Sequence, residues 1–434
     1  MKVNRDAILQ KLGLSSLNEM QLQVISEFRH HDSVMLLAPT GSGKTLAYLF
    51  PLIEYLAENK QAKAMIIVPA RELALQIEQV VIKMGTGSTV TSCYGGRKTE
   101  TEVNNLKASP GIVIGTPGRL ADHIRRGNIH PDDFKFLVID EYDKALELGF
   151  LGEMSGILEA LKQIKLSFLV SATEAVEPPD FPAFSKLHIE NHLQTAIPEL
   201  KYYRFNSAEK DKLAALLELL HKTADKKTII FSNHRESVDR IQEFLKKKSV
   251  KSADYHGAME QAKREFSIFS FRSGCTNILN TTDLASRGLD IIDVQYIIHY
   301  HLPLRKDIFI HRNGRSARMN ADGSVILLLG PNEEIPAYLK TDVDNFEIRS
   351  MPAIKDTGWV TVFIGAGKKE KLNKVDIVGF FIKEGKLKSD SIGLIEVKDH
   401  HSFVAVKTNA AENLLKNIRG KKIKKLNPKI ALAR

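Results

Sequence analysis

The sequence predicts an α/β protein in which two tandem domains with doubly wound parallel sheets precede a small basic α+β domain. Three observations carry this prediction. Short apolar segments rich in β-branched residues alternate with longer amphipathic segments, as in successive βαβ units. The alternation pauses near residues 191–200 and then restarts, which indicates a second domain of similar size. The charge balance changes after residue 354, which indicates a third domain of different character.

The first predicted domain, residues 1–195, contains apolar segments that we interpret as buried parallel strands. These segments are 34–38, 64–70, 111–116, 134–140 and 167–173. Amphipathic segments such as RELALQIEQVVIKM lie between them and predict helices. The second predicted domain, 196–345, repeats the scheme, with strands expected at 227–232, around 252–256, and at 275–282, 294–300 and 323–330.

A predicted linker, 346–357, leads into the third domain, 358–434, which carries the excess of positive charge. From Lys355 onward there are 18 Lys and Arg against 8 Asp and Glu, whereas the preceding residues contain 44 of each. A basic domain attached to a neutral remainder is the charge pattern of polyanion binding. A solubilising tail is the alternative that charge alone leaves open.

The amino-acid composition predicts a soluble, intracellular globular protein. The apolar fraction of 43% and the charged fraction of 26% are those of a soluble globular protein. The two cysteines, Cys93 and Cys275, match no zinc or redox spacing, so we expect a reducing cytoplasm. The sequence contains nothing close to the ~18 consecutive apolar residues of a membrane span. We therefore expect a cytoplasmic monomer that does not associate with membranes.

The segment APTGSGKT (38–45) follows an apolar strand and opens a helix, which is the context that a phosphate-binding loop requires. Glycines let backbone N–H groups turn inward around phosphates, and the helix N-terminus favours negative charge. Lys44 is expected to reach the β- and γ-phosphates, and the Thr45 hydroxyl to ligate Mg²⁺. The predicted nucleotide-binding residues of this loop are Pro39, Thr40, Gly41, Ser42, Gly43, Lys44 and Thr45.

The segment FLVIDEYD (136–143) predicts the acidic partner of this loop. A hydrophobic strand that ends in Asp140 and Glu141 places two carboxylates at the carboxyl edge of the sheet, beside the loop. We expect Asp140 to hold Mg²⁺ and Glu141 to orient and deprotonate the attacking water. A helix-capping acidic cluster is the alternative.

The segment HRNGRSAR (311–318) gathers three arginines in the second domain. An arginine from a facing domain can stabilise the charge on a γ-phosphate, an effect worth roughly 10³–10⁵ in rate. Arg315 and Arg318 are the candidates for this role. A solvated basic helix end is the alternative.

Together with further segments in the same order, these motifs resemble the DEAD-box class of superfamily 2 RNA helicases over residues 1–346. The resemblance implies that both α/β domains are RecA-like. The matching segments are PARELALQ (69–76), Gly95–Gly96, TPGRL (116–120), DEYD (140–143), SAT (171–173), IIFSN (229–233), QAKR (261–264), TTDLASRGLDI (281–291) and HRNGRSAR.

The resemblance also implies roles for individual residues. Gln21 would read adenine and Asp290 would meet the ribose, so the nucleotide would be ATP. Ser171 and Thr173 would couple hydrolysis to domain closure. The residues that would hold the RNA backbone are Arg71, Gly96, Thr116 and Arg119 in the first domain, and Gln261, Arg264, Thr282 and Arg287 in the second. Contacts of this kind bind RNA without reading its sequence.

Five positions depart from the family pattern. Tyr142 replaces an alanine in the acidic tetrad, and Asn4 stands near the place of an aromatic residue that would stack on adenine. Ala70 replaces a threonine, while Asn313 and Ala317 alter the last motif. Because both carboxylates and both candidate arginines are present, we expect slower chemistry rather than none.

The third domain resembles the C-terminal RRM-like module of DbpA-type DEAD-box proteins, which in the family recognises structured large-subunit ribosomal RNA. Residues 362–364 and 403–406 are predicted as the central strands of its sheet. Phe363, His401 and Phe403 are expected to face RNA, with core packing as the alternative for the two phenylalanines. Lys368, Lys369 and Lys371 are expected to grip phosphates. The basic segment 420–425 is interpreted as a further backbone clamp, with a solvated charge run as its alternative.

We therefore predict an ATP-dependent RNA helicase that uses ATP and Mg²⁺, binds single-stranded or short duplex RNA, and locally unwinds or remodels it. The expected target is ribosomal RNA in a precursor of the large subunit. An ATP-gated RNA clamp without strand separation and a DNA translocase are the alternatives. A duplex-release assay distinguishes the helicase from the clamp, because a clamp would hydrolyse ATP and leave the duplex paired. Stimulation of the ATPase by DNA to the same extent as by RNA would favour the DNA translocase.

Overall fold

A computed structural model describes residues 3–173, 177–193, 200–286, 291, 294–315, 323–347 and 353–433. The chain divides into two compact units. The first lies within residues 1–197, and the second contains the rest of the described chain. The predicted boundary at residues 195 and 196 lies outside the described residues.

The first unit is a seven-stranded parallel sheet covered by helices on both faces. Its strands are β1 (Ser33–Leu37), β2 (Lys63–Ile67), β3 (Val90–Cys93), β4 (Ile112–Gly115), β5 (Phe134–Ile139), β6 (Leu166–Ser171) and β7 (His188–Asn191). Its helices are α1 (Arg5–Leu12), α2 (Glu19–Glu27), α3 (Lys44–Glu58), α4 (Arg71–Met84), α5 (Thr99–Lys107), α6 (Pro117–Arg125), α7 (Tyr142–Glu147) and α8 (Leu151–Ala160). The strand order is β3-β4-β2-β5-β6-β1-β7.

Burial of both sheet faces explains why these strands are continuous apolar runs rather than alternating ones. In β1, Val34 and Leu36 belong to the hydrophobic cluster on one face. Met35 and Leu37 belong to the cluster on the other face. The period of two along a strand distributes the run between the two layers.

The second unit contains another seven-stranded parallel sheet, in the order β10-β11-β9-β12-β13-β8-β14. Its strands are β8 (Lys201–Asn206), β9 (Thr228–Phe231), β10 (Ala253–Tyr255), β11 (Ile278–Thr281), β12 (Tyr296–His299), β13 (Ser324–Leu329) and β14 (Asp344–Asn345). Its helices are α9 (Leu213–Thr223), α10 (Arg235–Lys247), α11 (Gln261–Arg272) and α12 (Lys306–Asn313).

The second unit also contains a four-stranded antiparallel sheet, in the order β16-β17-β15-β18. It consists of β15 (Trp359–Ile364), α13 (Lys374–Lys383), β16 (Ile392–Val397), β17 (Ser402–Lys407), α14 (Thr408–Ile418) and β18 (Ile430–Leu432). The two α/β sheets and the small C-terminal α+β sheet confirm the predicted fold class. The adjacent central strands β15 and β17 contain the predicted segments 362–364 and 403–406.

Candidate nucleotide site and nucleic-acid interface

The phosphate loop joins β1 to the N-terminus of α3, and its conformation requires glycine. Gly41 and Gly43 have φ values of 90° and 87°, in the left-handed region that side chains disfavour. A Cβ atom at Gly43 would also collide with the side-chain amide of Gln21. The loop therefore turns tightly at the helix N-terminus, where backbone N–H groups and the helix dipole favour an anion.

The side chain of Lys44 folds back into this loop. Its Nζ atom donates to the carbonyl oxygens of Ala38 at 2.6 Å and Pro39 at 3.0 Å. The Ser42 hydroxyl donates to the same Pro39 carbonyl at 2.8 Å. The Lys44 ammonium group therefore lies inside the loop, where the sequence predicts that the phosphates of the nucleotide bind.

Gln21, the predicted adenine-reading residue, is buried against the phosphate loop. Its Nε2 atom donates to the Gly43 carbonyl at 3.0 Å. Asn18 caps α2 in a capping box with Gln21, and its Nδ2 atom donates to the Ser42 carbonyl at 2.9 Å. The first turn of α2 is therefore attached to the phosphate loop.

Asp140 and Glu141 lie where β5 ends, at the same edge of the sheet as the phosphate loop. Asp140 is buried, and its carboxylate accepts from the Tyr48 hydroxyl at 2.9 Å and from the Glu141 N–H at 2.8 Å. Burial raises the pKa of Asp140, an effect that the charge of Lys44 opposes. Glu141 has a φ of 50°, the kind of strained backbone that concentrates at functional sites.

Tyr48 was not predicted as a site residue, yet it connects two of the predicted magnesium ligands. Its hydroxyl bonds Asp140 and also contacts the Thr45 hydroxyl. Burial and the Asp140 charge raise its pKa well above the ordinary value, so the phenol stays protonated. The sequence signal was the spacing of three residues between Thr45 and Tyr48, which places both on one side of a helix.

The predicted coupling residues lie between the loop and the acidic tetrad because β6 lies between β5 and β1. The Ser171 hydroxyl donates to the Thr173 carbonyl at 2.8 Å. The Thr173 hydroxyl donates to Asp143 at 3.3 Å. The segment therefore contacts the acidic tetrad directly. Tyr142, the departure within that tetrad, is buried in the hydrophobic cluster on one sheet face.

The four RNA-contact candidates of the first unit follow three neighbouring strands, β3, β4 and β2. The Arg71 guanidinium lies 4.7 Å from the centre of the Tyr94 ring, and a Cβ atom added at Gly96 would lie 3.4 Å from the same guanidinium. Thr116 is the N-cap of α6, one turn before Arg119. The carboxyl ends of parallel strands lie at one edge of the sheet, so the topology brings all four candidates together. They lie beside the predicted nucleotide site, which follows β5, β6 and β1 at the same edge.

A buried carboxylate, Glu102, holds Arg119 in place and was not predicted. Its Oε2 atom accepts from Arg119 Nε at 2.6 Å and lies 2.8 Å from His123 Nε2, and its Oε1 atom accepts from the Tyr94 N–H at 3.0 Å. Burial alone would raise the pKa of Glu102, but the bonds from His123, Tyr94 and Arg119 outweigh burial and lower it. The sequence signal that could have indicated this role is a glutamate on the same side of α5 as the buried Leu106.

In the second unit, the candidates Gln261, Arg264 and Thr282 follow the neighbouring strands β10 and β11. Arg315 is buried, at 3% exposure. The remaining candidates, Arg287, Asp290 and Arg318, lie outside the described residues, as does Ala317.

Arg312, in the same motif as Arg315, has a structural role. Its fully buried guanidinium donates to Asp283, to the His301 carbonyl at 2.7 Å and to the Asn233 side chain at 2.8 Å. Because Asn233, Asp283 and His301 follow β9, β11 and β12, Arg312 connects the segments at the ends of these three strands. Asn313, one of the departures, accepts a hydrogen bond from His299.

The C-terminal sheet packs its aromatic face against α11. Phe403 is 3% exposed, and its ring centre lies 5.4 Å from that of Phe269. Arg272 pairs with Glu396 at 3.0 Å, and the Ser270 and Thr361 hydroxyls are 3.2 Å apart. The expectation that Phe403 faces RNA is therefore wrong, and core packing, its alternative, is what the structure contains. Strand alternation shows which residues share a face but not what covers it.

Phe363 and His401, the other two residues that were expected to face RNA, also contact neighbouring side chains. Phe363 is half-buried beside Phe403, and the ring of His401 stacks on Phe363 at 5.9 Å. His401 Nε2 lies 3.2 Å from Glu265 on α11, and Glu265 in turn accepts from the Gln261 side chain at 2.7 Å. A predicted RNA-contact residue is thus connected to the C-terminal domain through a single carboxylate.

The basic segments of the C-terminal domain form one exposed surface. Lys368, Lys369 and Lys371 are all exposed. Lys424, from the segment 420–425, donates to the Lys371 carbonyl at 2.9 Å and pairs with Asp376 at 2.6 Å. The two lysine-rich segments are therefore neighbours, and we call residues 368–371 and 420–425 together the lysine surface.

Models of three protein families match the chain in the order of these domains. The DEAD/DEAH box helicase model matches residues 18–180. The helicase conserved C-terminal domain matches residues 211–320. The DbpA RNA binding domain matches residues 361–432. Among the described residues, none of the helices is both long and apolar enough to cross a membrane.

Curated relatives and solved structures agree with these matches. DEAD-box ATP-dependent RNA helicase RhpA of Helicobacter pylori is 35% identical, covering 79% of this chain and 72% of the relative. ATP-dependent RNA helicase DbpA of Bacillus subtilis is 28% identical, covering 96% of this chain and 95% of the relative. The structure of DEAD-box helicase Mss116 bound to ssRNA and UDP-BeF is 27% identical, with a TM-score of 0.68 and coverage of 76% of this chain and 73% of that one.

Proposed function

This chain belongs to the DEAD-box family of ATP-dependent RNA helicases, and on that premise we propose that it uses ATP hydrolysis to open or remodel structured RNA of the large ribosomal subunit. The observation that carries the enzymatic part is the common edge of the first sheet. There the phosphate loop, the acidic tetrad and the Ser171–Thr173 segment follow the neighbouring strands β1, β5 and β6.

The residues around Asp140 suit Mg²⁺, which takes oxygen ligands. The buried Asp140 carboxylate and the Thr45 hydroxyl lie around one tyrosine hydroxyl, and burial makes a nearby cation favourable for Asp140. A bound Mg²⁺ would neutralise charge on the β- and γ-phosphates. Thr45 and Asp140 would hold it, and Lys44 would contact the same phosphates.

The chain's own groups would perform the remaining tasks of hydrolysis. Glu141, one residue beyond Asp140 on a strained backbone, would orient the attacking water and accept its proton. Gln21 would hold the adenine end. Arg315 and Arg318 are the proposed guanidinium groups for charge on the γ-phosphate, with Asp290 on the ribose. RNA would be held along its backbone by the candidates from both sheets, and contacts of this kind would not read its sequence.

Target choice is assigned to the lysine surface rather than to the aromatic sheet face. The match to the DbpA RNA binding domain supports RNA binding by this part of the chain. The aromatic face packs on α11, whereas Lys368, Lys369 and Lys371 are exposed. Contacts between lysines and phosphates recognise the shape of a folded RNA, in agreement with a structured ribosomal target.

The test compares ATP turnover stimulated by large-subunit ribosomal RNA fragments with turnover stimulated by poly(A). We expect the fragments to act at lower concentration. A variant with Lys368, Lys369 and Lys371 changed to Glu should lose that preference, and the dependence of log affinity on log salt should weaken by about 1 for each lost phosphate contact. Changing the exposed Lys246, Lys247 and Lys248 to Glu is the matched control. Equal stimulation by both RNAs in the wild type would contradict the proposed target.

Point variants are preferable to deletion of residues 359–434. Deletion would uncover Phe269, which Phe403 covers, and would expose an apolar surface on α11. A duplex-release assay on the same samples tests strand separation, because a clamp would hydrolyse ATP and leave the duplex paired.

A further inference from the structure

One side of α11 carries a predicted RNA contact at its first residue and packs against the C-terminal sheet further along. Gln261 begins the helix, and the residues that follow on the same side are Glu265, Phe269 and Arg272. Phe269 packs on Phe403, and Arg272 pairs with a glutamate of the same sheet. The C-terminal sheet therefore covers this side of α11 beyond its first turn.

The Glu265 carboxylate lies between Gln261 and the C-terminal domain. Its Oε1 atom accepts from Gln261 Nε2 at 2.7 Å, and its Oε2 atom lies 3.2 Å from His401 Nε2. We propose that Glu265 is a positioning residue for the RNA contact of Gln261, and that His401 holds Glu265 in place. This role rests on the proposed RNA binding by Gln261. It makes the C-terminal domain part of the RNA-holding surface of the second α/β domain.

The carboxylate determines which way the amide group of Gln261 points. An ionised carboxylate only accepts hydrogen bonds, so the amide turns its NH₂ group towards Glu265. One N–H of that group bonds Glu265, and the second can donate to a phosphate oxygen of RNA. The opposite orientation would bring the amide oxygen, an acceptor, towards a phosphate that also only accepts. Glu265 therefore selects the orientation of Gln261 that can hold a phosphate.

The C-terminal domain also keeps Glu265 ionised. Burial alone would raise the pKa of this carboxyl group, but its contacts with His401 and Gln261 and the charge of Lys398 outweigh burial and lower the pKa. Lys398 pairs with Glu396 at 2.8 Å, so it belongs to the same interface. Two groups of the C-terminal domain, His401 and Lys398, therefore favour the form of Glu265 that only accepts hydrogen bonds.

The apolar part of the interface fixes the position of His401. Its ring meets the Phe403 ring edge-on, with centres 5.0 Å apart, and stacks on Phe363 at 5.9 Å. Phe403 in turn belongs to the hydrophobic cluster that contains Phe269 of α11. Because packing on two rings limits the movement of the imidazole, His401 gives Glu265 a fixed partner. A C-terminal domain that served only as a tether would leave Gln261 unaffected, and this difference is measurable.

ATP turnover of the full-length chain, measured across poly(A) concentrations, tests this role, because poly(A) is not the proposed target of the lysine surface. In His401→Ala and Glu265→Ala, we expect the poly(A) concentration for half-maximal stimulation to rise about 2–10-fold, the range for one hydrogen bond. His401→Gln keeps an N–H donor and should stay closer to the wild type. Electrostatics alone predict the reverse for Glu265→Ala, since loss of a negative charge favours RNA binding.

A double variant separates positioning from a general loss of stability. If His401 acts through Gln261, adding His401→Ala to Gln261→Ala should cause no further rise in the half-maximal poly(A) concentration. Additive effects of the two substitutions would overturn the proposal.

Glu396→Gln is the matched control, because it disrupts the contact with Arg272 at the other end of the same interface. It should behave like the wild type, since a partly exposed ion pair contributes little. An equal rise in Glu396→Gln and His401→Ala would show that docking as a whole is responsible and would overturn the role of Glu265. A wild-type value in His401→Ala, with normal stimulation by RNA, would overturn this role alone. Absence of stimulation in the wild type would overturn it together with the proposed function.

Discussion

Replacing Glu102 with Gln should loosen the arginine that we assign to RNA binding in the first domain. Glu102 is fully buried, and its Oε2 atom lies 2.6 Å from Arg119 Nε and 2.8 Å from His123 Nε2. In glutamine an amide NH₂ can take that position, so the Arg119 N–H would face a donor. Disrupting one partner of a buried charged pair costs about 3–5 kcal/mol. Because Arg119 is 18% exposed, water relieves part of this cost, and we expect a loss near the lower limit.

Two measurements on Glu102→Gln separate stability from RNA binding. Urea unfolding should give a free energy of unfolding about 3 kcal/mol below that of the wild type. The RNA concentration for half-maximal ATPase stimulation should rise, while the maximal rate changes less, because Arg119 lies apart from the phosphate loop. Glu100→Gln, on the exposed side of the same helix, is the matched control. If Glu102→Gln matched that control in both assays, the positioning role of Glu102 would be refuted.

The same carboxylate predicts a pH dependence. Despite burial, its hydrogen bonds hold the pKa of Glu102 below its ordinary value of 4.5 in the folded protein. The charged form therefore stabilises the fold above about pH 4.5, and this contribution is lost as the pH falls through the lowered pKa. The difference in unfolding free energy between the wild type and Glu102→Gln should shrink on acidification over that range. A difference that grew would contradict the assignment.

Three further variants test other parts of the structure. Gly43→Ala should abolish ATP binding, measured by calorimetry, because the residue has a φ of 87° and its Cβ would displace the adjoining side chain; normal affinity would argue against the loop geometry. Phe403→Ala should lower the unfolding free energy by about 3–5 kcal/mol and increase amide exchange in α11; unchanged exchange would contradict the packing. Tyr48→Phe should raise the Mg²⁺ concentration needed for turnover, because Asp140 loses a hydrogen-bond donor; an unchanged requirement would exclude that role.

The fold class and the family were predictable because their signals are local. Buried parallel strands are continuous apolar runs, and the phosphate loop is a contiguous motif between a strand and a helix. The family matches confirm the resemblance inferred from the motifs. Strands that depart from this pattern were missed. β3 (Val90–Cys93) is short and contains polar residues, and β8 (Lys201–Asn206) mixes charged, aromatic and polar residues, none of which is fully buried.

Contacts between elements distant in sequence were not predictable from the motifs. In the sequence, Glu102 is one of two acidic residues on an ordinary amphipathic helix, and only the fold places it beside Arg119. Phe403 satisfies the pattern of an RNA-facing sheet residue, and only the packing of α11 shows that its ring is covered.

RNA-dependent ATP hydrolysis at Glu141 is tested most directly by the ATP turnover of the wild type and of Glu141→Gln, each measured with and without RNA. We expect RNA to accelerate turnover by the wild type more than DNA does. We also expect Glu141→Gln to keep ATP binding and to lose about 10²–10⁴-fold in the maximal rate, the range for removal of a general base. Turnover by Glu141→Gln at the wild-type rate, or equal stimulation by DNA and RNA, would contradict RNA-dependent hydrolysis at Glu141.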